Sequence, residues 1–557
     1  MTLKDLLDRV SARGRGPLFA ALLTLLAALP GVFALPATDR DEARFAEASA
    51  QMLETGDFTT IMFQDEPRFK KPVGIYWLQA LSVKLVSAVE KRDIWAYRLP
   101  SVLGAMLAAG ACAWGAAAFL RPGTAVMAGV LMASTFVLST EAILATTDAA
   151  LCGCITLAMA ALGRLYFASQ GGPAAGRWVK AFFWVGLAGS VLLKGPIGPM
   201  VVGLTVLALC LWDRKAGWLR SLGWSWGPII FFGMTLPWAL AITVATDGGF
   251  WGTAVGGDLA PKLVGGQEGH GAPPGFYTLL SPLLTFPACL LLPAALVGAW
   301  RGRAEPGLRF AICWLAPAWL VFELVPTKLP HYTLPTYGAL AWMMAAVLEQ
   351  PLGVMVRWTG AAFATLAASA LIGFGVYAAG VYGDTASWIW AAIAGALFAA
   401  SAIAGVAYLF RRRSGLAAVA GCGLGLLAHA ALAGGLAPSL RPLWVSERVS
   451  ETLARAKISP SQGLAQGPVT VAGYAEPSIV FALGAHTELG SGADAADAID
   501  EGRPAVVEAR QEQTFQKALA DQESAARLVG TVAGLDYSTG HPQLLRIYQP
   551  VPDQPMP

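Results

Sequence analysis

Apolar residues run along this chain in blocks of about twenty, the length an α-helix needs to cross a bilayer. The blocks lie near 17–36, 98–120, 123–140, 149–168, 178–194, 196–212, 224–245, 276–298, 308–326, 331–349, 357–381, 386–410 and 415–437. They predict about thirteen transmembrane helices, with only a few residues of turn at 140–149, 194–196 and 326–331. Alternate turns carry Arg121; Arg164, Arg177 and Lys180; Arg214, Lys215 and Arg220; Arg301, Arg303 and Arg309; Arg357; and Arg411 to Arg413. Short loops rich in Lys and Arg stay cytoplasmic, which puts the N-terminus inside and the C-terminus outside. Lys4, Arg9, Arg13 and Arg15 precede the first apolar run, and Pro30-Gly31 interrupts it. The run is long for a signal peptide and reads as a retained first helix.

Two stretches break the membrane pattern. In the first outer loop, 37–97, Phe45, Ala48, Met52 and Leu53 recur at helical spacing, as do Ile75, Leu78 and Leu81. Both read as amphipathic helices lying on the membrane surface. From about Leu440 the composition changes to short β-like runs at 469–474, 505–508, 528–532 and 544–548, with helices at 477–483 and 511–527 between them. The expected organisation is a transmembrane unit over 1–439 and a small periplasmic α/β domain over 440–557, the latter in a supporting role.

Composition sharpens this picture. The charged fraction is 13% and the apolar fraction 55%, against about 25% charged in soluble domains. Trp is abundant at 19 residues, as in proteins that anchor aromatic rings at interfaces. The net charge of +3 is small, and no nucleic-acid partner is expected. All seven cysteines fall in apolar runs; Cys152 and Cys154 lack the four converging ligands of a structural zinc site and read as buried apolar residues. The Gly-rich tract at 421–425 follows no strand and reads as helix packing. His429 reads as a packed helix residue, and His486 and His541 as surface residues.

On this topology the outward turns gather one set of ionisable groups: Asp41, Glu42 and Arg44; Lys70 and Lys71; Glu141 and Asp148; Lys194; Lys262, Glu268 and His270; Lys328, His331 and Tyr332. Bases grip phosphate by charge-assisted hydrogen bonds, and a carboxylate can take a proton or steady charge developing on a sugar ring. The set therefore suits an anionic, lipid-linked substrate. Asp247, Asp384 and Glu141 read as ordinary solvated residues. Asp41, Asp148 and Lys71 abut apolar helix ends, where unpaired charge is costly and usually functional. A secondary transporter would instead place charges near the midplane of two related halves. A flippase or lipid-binding protein would grip the phosphate without chemistry, and an accessory protein would act through its outer domain.

The motifs then become specific. Asp41-Glu42-Ala43-Arg44-Phe45-Ala46-Glu47, followed by Met52-Leu53-Glu54-Thr55-Gly56-Asp57-Phe58, resembles the first-loop signature of bacterial polytopic glycosyltransferases, the lipid A aminoarabinose transferases and their protein O-mannosyltransferase relatives. Phe69-Lys70-Lys71-Pro72 with Tyr76-Trp77, Thr146-Thr147-Asp148, Lys194-Gly195-Pro196, Pro237-Trp238 and Lys328-Leu329-Pro330-His331-Tyr332-Thr333-Leu334-Pro335 are similar to later elements of that family. The likeness covers about residues 17–345. It implies an all-α polytopic GT-C fold and an inverting transferase at the periplasmic face of the inner membrane. The implied donor is a polyprenyl-phosphate sugar, and the implied acceptor is lipid A, another glycan or a protein. By position it implies Asp41 as the main catalytic carboxylate, with Glu42 beside it and Asp148 as second acid. Lys71 and Tyr332 would hold the donor phosphate, Arg44 would brace the acids, and Lys262, His270, Lys328 and His331 are further phosphate contacts. The 246–275 loop would close over the donor. No cofactor or metal is expected to be required. Lys70 stands where many relatives have Glu; the added positive charge is expected to favour an acidic sugar or a more anionic acceptor.

Overall fold

The computed structural model describes residues 3–265, 271–460 and 467–551. Eight helices among them are long and apolar enough to cross a membrane: Gly16–Ala34, Ile94–Ala116, Asp148–Ser169, Gly227–Ala245, Pro306–Leu324, Val354–Tyr382, Thr385–Phe410 and Ser414–Ser439. Phe276–Leu284 and Ala288–Arg301 make a ninth if taken as one span, bent by 115°. The break falls at Pro287, which has no N–H to continue the ladder. Large apolar side chains point outward, among them Val244, Leu279 and Met355, each about four-fifths exposed (79%, 84% and 81%). Such a surface is stable only against lipid.

Each of the thirteen apolar runs contains helix, but not every run is one full crossing. The 123–140 run is Pro122–Ser134 followed by Phe136–Glu141, parted where Thr135 turns extended at ψ 132°. Ile197–Asp213 has 17 residues. The 331–349 run opens as a 3-10 turn, Pro330–Thr336, and only Tyr337–Ala346 is α-helical. Pro330 and Pro335 impose that turn, so His331 and Tyr332 stand ahead of the helix rather than within it.

The bundle is knit by close helix contacts. A Cβ on Gly104 would lie 2.3 Å from the Ala150 Cα, and one on Gly153 would lie 2.4 Å from the Gly104 carbonyl oxygen. Glycine at both positions lets Ile94–Ala116 and Asp148–Ser169 approach backbone to backbone, as small residues do in membranes. That contact brings Arg98 and Asp148, near the N-terminal ends of the two helices, to one rim of the bundle.

The first outer loop departs from expectation. Helix Asp41–Thr55 does not lie free on the membrane. Its Ala43, Ala46 and Ala50 pack with Phe481 of the C-terminal region, while Phe45, Ala48 and Met52 join the main core. It ends where Gly56 takes a left-handed conformation, φ 73°, and caps Met52. Helix Gly74–Val86, by contrast, exposes Trp77, Leu78, Leu81 and Leu85, the outward apolar stripe an interfacial helix needs.

Beyond residue 440 a five-stranded sheet forms in the spatial order Glu488–Gly490, Thr470–Ala472, Ala505–Glu508, His541–Pro550, Ala526–Asp536. The first three strands are parallel and the last two antiparallel. Side chains alternate across it: Val506, Leu545 and Ile547 meet Val449 and Leu453 on one face, while Val507 and Tyr548 meet Ile499 and Phe515 on the other. Strand Glu488–Gly490 and helix Gly492–Asp500 were not expected. The expected helix at 511–527 stops at Asp521, and Ala526–Arg527 begin a strand.

Candidate active site

The first turn of Asp41–Thr55 sets two carboxylates on opposite paths. Glu42 is buried, and all its acceptor directions are taken. Arg98 grips it through Nε at 2.8 Å and Nη2 at 2.9 Å, and the Ala145 and Thr38 amides donate at 2.7 and 2.8 Å. The expected catalytic part for Glu42 is thus corrected: it fastens the loop helix to the bundle and has no lone pair left for a substrate. Asp41, next along, keeps 66% of its side chain exposed and has Arg68 Nη2 at 3.8 Å. The Arg68 guanidinium lies 5.1 Å above the Phe45 ring, its Nε buried and unpartnered.

Asp41 faces a cavity of about 290 Å³ whose walls also include Arg44, Lys70, Lys71, Asp148, Lys194, Lys262, His331 and Tyr332. Two ion clusters line it. In the first, Asp258 accepts from Lys71 at 3.1 Å and from Lys262 at 2.6 Å. Burial, with Lys262 and Lys194 nearby, pushes the Lys71 ammonium down to about 8, against the pull of Asp258. Burial works against ionisation of Asp258 too, but the two lysines hold its carboxyl below the usual range. In the second cluster, Lys194 donates to Asp148 at 2.5 Å, and the Lys194 ammonium sits 4.9 Å from the Tyr332 ring. His331 lies between Glu141, 3.1 Å from Nδ1, and Asp148, 3.6 Å from Nε2. Burial disfavours the imidazolium, yet Asp148 and Glu141 outweigh it and raise His331 above its ordinary value.

Asp41, Asp148, Arg44, Lys71, Lys262, His331 and Tyr332 therefore come together as expected. Lys328 does not: it is buried, 3% exposed, and donates to the Val325 carbonyl, turned away because its own backbone carries the cavity wall between Thr327 and Leu329. Glu141 is not a solvated loop residue; it is 6% exposed and also accepts from Thr146 at 3.0 Å. His270 and Glu268 lie outside the described residues. Sequence reasoning passed over Arg68 and Asp258. Asp258 had a signal, since it precedes Lys262 by one helical turn in a stretch otherwise short of acids.

Glu141, Asp148 and His331 present ligand atoms within 4.8 Å of one another, a set that could hold a metal. Lys194 already sets a fixed cation against Asp148 there.

The sequence pattern of the Dolichyl-phosphate-mannose-protein mannosyltransferase family matches residues 17–248. The chain is 30% identical over 318 residues to the Undecaprenyl phosphate-alpha-4-amino-4-deoxy-L-arabinose arabinosyl transferase of Pseudomonas paraeruginosa, covering 56% of each chain. It is 29% identical over 339 residues to the transferase of that name from Yersinia enterocolitica, covering 59% of this chain and 58% of the other. The matched stretch thus spans little more than half of these relatives. The crystal structure of ArnT from Cupriavidus metallidurans bound to undecaprenyl phosphate superposes with a TM-score of 0.75, over 95% of this chain and 97% of that one, at 18% identity. The chain is a membrane protein with the GT-C fold, and in sequence it is similar to the aminoarabinose transferases. The ArnT-like fold includes the C-terminal sheet domain, since the superposition runs through nearly the whole chain. The first-loop helix, the Lys70-Lys71 turn and the Asp148 helix all fall inside the matched residues 17–248. Asp258, Lys262, His331 and Tyr332 reach the same cavity from beyond them.

Proposed function

We propose that this chain transfers a sugar from a polyprenyl-phosphate donor to lipid A or another envelope acceptor, with inversion, at the periplasmic face of the bacterial inner membrane. The observation that carries this reading is one cavity in which an exposed carboxylate, Asp41, and a converging pair of ammonium groups, Lys71 and Lys262, can meet one ligand. Donor phosphate suits the lysine side. Lys71, Lys262 and the Tyr332 hydroxyl can donate to its oxygens, and a dianionic leaving group is stabilised by cations fixed in a half-buried site. Relatives whose names specify an undecaprenyl-phosphate sugar, and a neighbour crystallised with undecaprenyl phosphate, support that choice of donor.

In the step itself the acceptor oxygen attacks the anomeric carbon as the bond from that carbon to the phosphate oxygen breaks. The bonding pair leaves with the phosphate. A hydroxyl acceptor gives its proton to Asp41, exposed at the helix start and steadied by Arg68. A phosphate acceptor arrives ionised, and Asp41 then orients it and stabilises positive charge on the ring. Charge on the leaving group is met by lysine, so the reaction proceeds without a required metal. Activity that survives EDTA is the expected result, and loss restored by added Zn2+ or Mn2+ would overturn that part.

The experiment is mass spectrometry of lipid A and envelope glycans from cells carrying wild type, Asp41→Asn or Asp148→Asn, with donor binding measured on the purified proteins. Transfer should collapse in both variants while polyprenyl phosphate still binds. Unchanged glycans together with altered movement of the lipid across the membrane would favour a flippase instead.

A further inference from the structure

The joint between the first loop and the sheet domain gathers a third cluster, which meets the transfer cavity at Asp39. Asp39 comes from the loop, Glu476 from the segment before helix Pro477–Leu483, and Asp536 from the end of strand Ala526–Asp536. One carboxylate oxygen from each lies within 4.8 Å of the other two. Glu476 and Asp536 are buried, 9% and 5% exposed.

Most of the cluster is explained by neighbouring hydroxyls and amides. Ser478 donates to Asp39, and Ser538 donates to Glu476 through Oε1. Asp536 receives the Ser538 amide at 2.9 Å and the Thr539 hydroxyl at 2.7 Å. One atom is not explained. Glu476 Oε2 is buried and has no hydrogen-bond partner, a state that costs the full desolvation of a charged acceptor. Cations within the protein do not fill the gap. Burial holds the Glu476 carboxyl above the usual range, and the charges of Arg40 and Arg44 offset this only in part; Arg40 donates through Nη2 to the Ser538 carbonyl at 2.7 Å.

We propose that Asp39, Glu476 and Asp536 bind a hard divalent cation, Ca2+ in preference to Zn2+, that locks the C-terminal domain onto the loop carrying Asp41. The donor set is all oxygen, which selects Ca2+ or Mg2+ over softer metals. Oxygens bound to one Ca2+ at 2.3–2.6 Å stand no more than about 5 Å apart, as these do. The three donors come from irregular segments of two domains, and Ca2+ tolerates uneven coordination completed by hydroxyls, carbonyls and water where Mg2+ demands an octahedron. The consequence is mechanical: Asp39 is two residues before Asp41, so the ion fixes the start of the helix that presents the catalytic carboxylate.

The test uses the full-length protein in detergent, with Ca2+ alone as the probe, read by calorimetry and by thermal unfolding. One Ca2+ should bind per chain and raise Tm, as any ligand of the folded state does. Asp39→Asn and Glu476→Gln should each weaken binding at least tenfold and abolish the Tm rise, while Asp148→Asn keeps both. No binding of Ca2+, Mg2+ or Mn2+ would overturn the proposal, as would binding that survives both variants or is lost in Asp148→Asn. If Glu476→Gln fails to fold, Asp39→Asn alone decides. Neither readout involves sugar transfer, so this site and the transfer reading can fail separately.

Discussion

Lys71 Nζ lies 3.1 Å from Asp258 Oδ2, and the other oxygen of that carboxylate is held by Lys262 at 2.6 Å. The protein thus carries its own anion where a donor phosphate would be bound. Asp258 supports the charge on the half-buried Lys71, but it would also repel a phosphate placed between the two lysines. Asp258→Asn should therefore tighten binding of polyprenyl phosphate at pH 6.5, by roughly three- to tenfold, because a like-charge repulsion is removed from a poorly screened site. The gain should shrink by pH 8.5, since Lys71 loses the carboxylate that supports its proton. Titrations of the purified variant at the two pH values check both parts.

Lys71 itself supplies a second prediction. Burial and the neighbouring lysines bring its ammonium down to about 8, so it is charged below that pH and neutral above it. Donor binding to the wild type should hold steady from pH 6 to 7 and weaken by about tenfold between pH 7 and 9, one ionic contact being lost. Lys71→Arg keeps its charge throughout this range and should flatten the profile. A wild-type profile that stays flat, or an Arg variant that falls just as steeply, would remove Lys71 from the phosphate site.

How much of this site was legible beforehand follows from what each residue depends on. The outward turns could be found because apolar runs of fixed length leave charges only at their ends, and Asp41, Asp148 and Lys71 mark three of those ends. Side-chain direction was not legible. Glu42 and Asp41 are neighbours in one motif, yet a rotation of 100° per residue sends one inward to Arg98 and leaves the other in the cavity. Lys328 and His331 likewise share a turn and part company because two prolines fix its path. Glu141 looked solvated because the helix before it is only six residues long, Phe136–Glu141, and its partner His331 lies almost two hundred residues on. The C-terminal domain's edge strand Glu488–Gly490 has three residues, too few for any alternation to show.

The Glu42–Arg98 pair offers a stability test separate from chemistry. Both side chains are almost fully buried, 1% and 0% exposed, and Arg98 also donates to the Val32, Leu35 and Pro36 carbonyls. Removing one partner leaves a buried charge without compensation, which costs about 3–5 kcal/mol. Glu42→Ala should lower Tm markedly and loosen the loop to proteolysis. Replacing both residues, with Glu42→Leu and Arg98→Met, should recover only the part of the loss owed to the unpaired charge, since the Val32, Leu35 and Pro36 carbonyls and the Ala145 and Thr38 amides lose their partners. If Glu42→Ala were as stable as wild type but inactive, Glu42 would belong to the chemistry after all.

His331 gives the last test, because its charge depends on two acids from different parts of the chain. Glu141 is 3.1 Å from one ring nitrogen and Asp148 is 3.6 Å from the other, and together they raise the imidazolium above its ordinary value against the effect of burial. A raised histidine is charged below its shifted pKa and loses that charge as pH climbs through it. If the imidazolium helps hold the phosphate side of the cavity, the wild-type rate should have a basic limb lying above pH 6.5. Glu141→Gln takes away one of the two supporting carboxylates while keeping the shape of the contact. It should move that limb to lower pH with little change in rate below pH 6. His331→Asn should remove the limb and lower the rate at all pH values. A limb that stays in place in Glu141→Gln would assign it to Lys71 instead, and Lys71→Arg tells these apart, since it moves a limb that belongs to the lysine and leaves one that belongs to the histidine.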